Sequence, residues 1–185
     1  GGFYAWGRVR VALARRDYQG ALRQLVTEEQ QALDNQFWFL PIALLRGEVL
    51  RLEGQHDLAR RSFEAARLDL EQRVRHDPDD HRLRRSLGIA YAGLGRTEDA
   101  VREARRGCDL MPASKDALRS LWCLGDLALV YAMVGMNSEA VATLDDLLAR
   151  SGWFTPHALR LDPRWDPLRS DPRFQALLTK YEVKP

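Results

Sequence analysis

The sequence predicts an all-α chain of about four helical hairpins followed by short capping helices, and three observations predict it. Apolar residues recur at three- and four-residue spacing along most of the chain, which gathers them on one side of a helix. The helical segments come in pairs, with a glycine or a short polar turn between the members. No stretch alternates apolar and polar residues long enough to suggest a sheet.

The first pair occupies 2–36: Arg8, Val9 and Ala12 lie on one helix, and Ala21 and Leu25 follow the Asp17-Tyr18 turn. The second occupies 40–77. Ala43, Gly47 and Leu50 share a face, Gly54 breaks the helix, and Ala59, Phe63 and Ala66 share a face of a long second helix reaching His76. The third, 81–112, has the clearest signals. Leu87, Gly88 and Tyr91 lie on one face, Gly95 ends the helix, and Thr97 is placed to cap the next. Ala100, Ala104 and Gly107 line the second helix until Pro112 stops it. Gly88 and Ala100 carry little or no side chain, so the two helices can approach closely. The fourth, 115–150, uses Leu124, Leu127, Ala128, Tyr131, Gly135, Ala140, Leu144 and Leu147, with residues from Ala113 extending its first helix.

The tail, 151–185, is a different kind of sequence. Thr155-Pro156, Asp162-Pro163, Asp166-Pro167 and Asp171-Pro172 each put an acceptor at the N-cap and proline in the first turn. Two very short helices and a final one over 172–181 are expected. Trp153, Phe154, Leu159, Leu161, Trp165, Leu168, Phe174, Leu177 and Leu178 would cover the apolar end of the last pair.

The order Leu87, Gly88, Tyr91, Gly95, Ala100, Pro112 resembles the tetratricopeptide-repeat (TPR) pattern. Ala104 stands where a larger side chain is usual, Gly107 where Ala is usual, and Arg46 where Leu is usual. Repeats start near Gly2, Leu40, His81 and Leu121, wider than the family's period of about 34 residues. The resemblance implies a right-handed superhelix with a concave groove, formed by residues 1–150. From about Ala21 onward the chain is also similar to the C-terminal TPR segments of bacterial signalling proteins, where such arrays follow a kinase, a nucleotide cyclase or a winged-helix regulator. The chain begins Gly1-Gly2 rather than with Met, which reads as a piece of something longer.

A net charge of +2 among 29% charged residues gives no field that would draw nucleic acid or an acidic membrane. The apolar runs are too short to cross a bilayer. Cys108 and Cys123 fit no disulfide framework or zinc spacing and read as buried reduced thiols. A cytoplasmic location is the expectation. His76, Asp77, Asp79, Asp80 and His81 are the one cluster of metal-ligand types, but RHDPDDHR reads as an inter-repeat turn with Asp79 or Asp80 capping a helix. Asp145 and Asp146 are adjacent on a helix and diverge. There is no nucleophile at motif spacing to a histidine and no glycine-rich phosphate loop. No catalytic residue, metal or cofactor is therefore assigned, and the chain reads as a non-enzyme.

The resemblance implies that the first helix of each pair faces the groove. It assigns partner contacts to Trp6 and Arg10, to Leu44, Glu48 and Arg51, to Arg82, Arg85 and Ile89, and to Trp122 and Leu129. Such a surface suits a peptide or protein segment, with arginine gripping carboxylates and tryptophan giving apolar area. Those positions hold no asparagine, unlike the chaperone-binding members of the family. In-cis regulation of a larger signalling protein is the alternative. Self-association into a homo-oligomer and small-ligand sensing stay open.

Overall fold

The computed structural model describes residues 2–26, 31–150 and 154–182. Trp153 and residues 27–30 of the first predicted pair lie outside the described residues. Four helical hairpins follow one another: α1 (Gly2–Ala14) with α2 (Tyr18–Val26), α3 (Ile42–Leu52) with α4 (His56–His76), α5 (His81–Gly93) with α6 (Thr97–Leu110), and α7 (Ala117–Met133) with α8 (Asn137–Arg150). Each second helix packs on the first helix of the next pair, and α5 packs on both α3 and α7. The described chain is mostly helical, and none of its helices is long and apolar enough to cross a membrane.

Small residues set the spacing within and between the second and third pairs. A Cβ on Gly88 would stand 3.0 Å from the Ala100 carbonyl oxygen and 3.0 Å from Ala104 Cβ. Phe63 of α4, fully buried, fills the space left by Gly47 of α3 and Gly93 of α5. The turn glycines Gly54, Gly95 and Gly135 have φ of 85°, 75° and 78°. These are left-handed values that side chains disfavour. Arg16 takes the same conformation in the first hairpin, with φ 56°.

Three local expectations are corrected. The chain is not helical throughout: β1 (Ala32–Asp34) pairs antiparallel with β2 (Phe39–Pro41), Leu33 opposite Leu40. Asn35 forms its turn, Oδ1 accepting from the Phe37 and Trp38 amides at 2.8 and 3.1 Å. Three-residue strands are too short to display an alternating pattern. Thr97 does not cap α6. It is the first helical residue, after Arg96, and no side chain caps that end. Asp166-Pro167 starts no helix, because it falls inside a 3-10 segment.

The tail forms α9 (Pro156–Leu161), the 3-10 helix η1 (Pro163–Leu168) and α10 (Pro172–Lys180). Thr155, Asp162 and Asp171 cap these three, as their Thr-Pro and Asp-Pro pairs predict. α10 covers the last hairpin by packing on α8, with Lys180 Nζ donating to Asp145 Oδ1 at 2.7 Å. The tail does more than cap that end, however. η1 packs on α7 and reaches back to the first hairpin: Arg10 of α1 pairs with Asp162 and Arg16 with Asp166.

Candidate functional site

Two irregular segments pack against the first helices of the later pairs: the β1–β2 hairpin on α3 and α5, and the tail on α7. Between them lies a cavity of about 380 Å³. That volume is near the lower end of the ~300–1,000 Å³ typical of ligand pockets.

The walls are aromatic and aliphatic. Trp6 of α1 stacks on Trp38 of the β-turn, ring centroids 5.1 Å apart, and Trp122 of α7 meets both edge-on at 5.9 and 4.9 Å. Ile89 of α5, Leu129 of α7 and Trp165 of η1 close the floor and sides. Ile89, Leu129 and Trp165 are almost fully buried.

The polar lining consists of Arg10, Glu48, Arg85, Asp126 and Arg164. Arg85 is buried and donates Nε to Asp126 Oδ2 at 2.9 Å and Nη1 to the Phe37 carbonyl at 3.0 Å. Arg164 donates Nε to Asp162 Oδ2 at 3.1 Å, and its Nη1 stands 3.6 Å from Glu48 Oε1. Burial alone would raise the Asp162 carboxyl, but Arg164 and Arg10 hold it well below the usual carboxylate range. Glu48 goes the other way. Burial pushes its carboxyl up, and the nearby arginines 164, 51 and 10 do not pull it all the way back.

Of the residues that the sequence assigns to a groove, Trp6, Arg10, Glu48, Arg85, Ile89, Trp122 and Leu129 line this cavity. Leu44 does not, because it is 0% exposed in the core. Arg51 lies beside Glu48 but off the lining. Arg82 is engaged elsewhere: its Nη1 donates to Asp34 Oδ1 at 2.8 Å and to the Asn35 carbonyl at 2.7 Å, and its Nη2 to Asp80 at 2.6 Å. With Ser86 Oγ donating to the Phe39 carbonyl, Arg82 and Arg85 use the α5 stripe to hold this chain's own β-hairpin. Sequence reasoning missed Trp38, Asp126, Phe154 and Arg164. Asp126 follows Trp122 by one turn of α7 and was within reach of a stripe argument. The other three arrive from the β-turn and the tail.

Among the described residues no group of three or more His, Cys, Asp or Glu could hold a metal ion. His76 ends α4 and Asp80 caps α5, accepting from the Arg82 amide at 2.8 Å. Cys108 and Cys123 are free thiols, Cys123 buried and Cys108 half-buried. Protein-family models, curated proteins and solved structures give no match to the chain.

Proposed function

We propose that the chain is a recognition module of tetratricopeptide type that binds a segment of another protein. It takes one anchoring group of that segment into the inner-face cavity and performs no chemistry of its own. The observation that carries this reading is convergence. All four first helices send side chains to one cavity, and the residues are largely those the repeat register assigns to the concave stripe. The close approach of Gly88 to Ala100 and the left-handed turn glycines support the same register. A right-handed superhelix is the arrangement this register entails. A long open groove has less support, because the hairpin and the tail occupy much of the inner face.

Gly125 supplies the test. Its Cβ would meet Phe154 and Leu147 at 3.8 and 3.9 Å, ordinary contact distances. Gly125 lines the cavity and has room for a Cβ, so Gly125→Met adds helix propensity to α7 and is expected to take up cavity space with a flexible side chain. Peptides selected from a displayed random library on the parent chain are expected to bind this variant at least about tenfold more weakly, with the helical circular dichroism unchanged. Peptides that bind both forms equally would place recognition elsewhere.

A further inference from the structure

At the polar end of the cavity the charges do not balance. Arg10, Asp162, Arg164, Glu48 and Arg51 form a connected row of three guanidinium groups and two carboxyls. Arg10 Nη2 donates to Asp162 at 2.6 Å. Arg164 shares that carboxylate and faces Glu48. Arg51 follows Glu48 by one turn of α3. The other lining arginine, Arg85, is matched by Asp126.

Polar atoms are left over in the same place. Arg10 Nη1, Glu48 Oε1, and Arg51 Nε and Nη2 are buried, with no hydrogen-bond partner among the described residues. An unmatched buried charge and unpaired buried donors are both unfavourable. Apart from the Arg85–Asp126 pair, the rest of the lining is apolar, with Trp6, Trp122, Trp165 and Phe154 forming much of the wall.

We infer that the occupant of the cavity is an apolar group bearing one carboxylate, the carboxylate on Arg10 Nη1 and the apolar body against Trp6, Trp122 and Trp165. The inference rests on the cavity being the recognition site. Asp162 already fixes one edge of the Arg10 guanidinium, so its other edge is oriented before the ligand arrives. An ammonium group would add to the positive excess, and a neutral amide would leave it uncompensated.

Calorimetric titration of the chain with phenylbutyrate, phenylbutyramide and phenylbutylamine compares one shape in three charge states. The acid is expected to bind at least about tenfold more tightly than the amide, and Arg10→Gln to abolish the difference. The comparison on the parent chain decides the matter even if that variant fails to fold. In a second arm, the carboxylates of cavity-binding peptides are converted to amides one at a time. A loss of about tenfold or more on one conversion assigns the carboxylate to a partner chain. Preference for phenylbutyrate without such a loss assigns it to a small free acid. No preference for the acid, together with peptides indifferent to amidation, overturns the carboxylate and leaves the cavity reading standing. Probes and peptides that bind Gly125→Met as well as the parent overturn the cavity reading itself, and the carboxylate with it.

Discussion

His81 opens α5 and is 7% exposed, with Nε2 buried and without a hydrogen-bond partner among the described residues and Nδ1 3.8 Å from Asp80. Burial, then the Arg85 guanidinium, lowers its pKa to about 4, against the pull of Asp80. The unfolded chain takes up this proton near pH ~6.5, whereas the folded chain refuses it until about pH 4. Between those values the unfolded state holds the extra proton, so stability rises with pH and is lost on acidification. From about pH 7 to about pH 5 the parent should lose roughly 2 kcal/mol more than His81→Gln. Urea unfolding of both proteins at the two pH values measures this, and equal losses would remove the assignment. Neighbouring Gly107 explains an irregularity of the repeat pattern. A Cβ there would stand 2.6 Å from Arg85 Cγ. The residue smaller than usual makes room for a buried arginine that the sequence alone placed on an open groove.

At the scale of elements, the hairpins were legible because their determinants are local: apolar spacing, a turn glycine and a pair of small residues. Gly88 is the sharpest case. Its neighbours across the helix contact are backbone atoms of Ala100 and Ala104 at 3.0 Å, and backbone cannot rotate away. Gly88→Leu should therefore cost about 3 kcal/mol by overpacking, read from denaturant midpoints. A variant that unfolds like the parent would show that the α5–α6 contact is looser than this. The first hairpin was the least legible, and Arg16 shows why. It holds the left-handed turn position that glycine marks in the other three, while its guanidinium binds both carboxylate oxygens of Asp166 at 2.7 and 3.0 Å. The β-hairpin was not legible at all. Its strands are short, and its place is fixed by Arg82, Arg85 and Ser86, which lie 47 or 48 residues away in sequence.

Across the whole molecule, the cavity was half legible for the same reason. The stripe on the first helices follows from helical periodicity, but the lids over it follow from long-range pairing that no periodicity encodes. The tail reads locally as a run of capped turns, yet Arg10–Asp162 spans 152 residues and ties the end of the chain to its first helix. The ion pairs Arg10–Asp162 and Arg16–Asp166 contribute to this closure, and burial separates them. Asp162 is 4% exposed and serves Arg10, Arg164 and the η1 cap together. Asp162→Ala leaves two largely buried arginines, side-chain exposures 24% and 15%, without their shared counter-ion and should cost about 3 kcal/mol. Asp166 and Arg16 keep side-chain exposures of 37% and 49%, so solvent screens their attraction, and Asp166→Ala should cost no more than about 1 kcal/mol. Urea unfolding of the two variants compares a buried with an exposed link across the same junction. Similar small losses for both would mean that the tail rests on the inner face without stabilising it, and that the cavity beneath it is open to solvent.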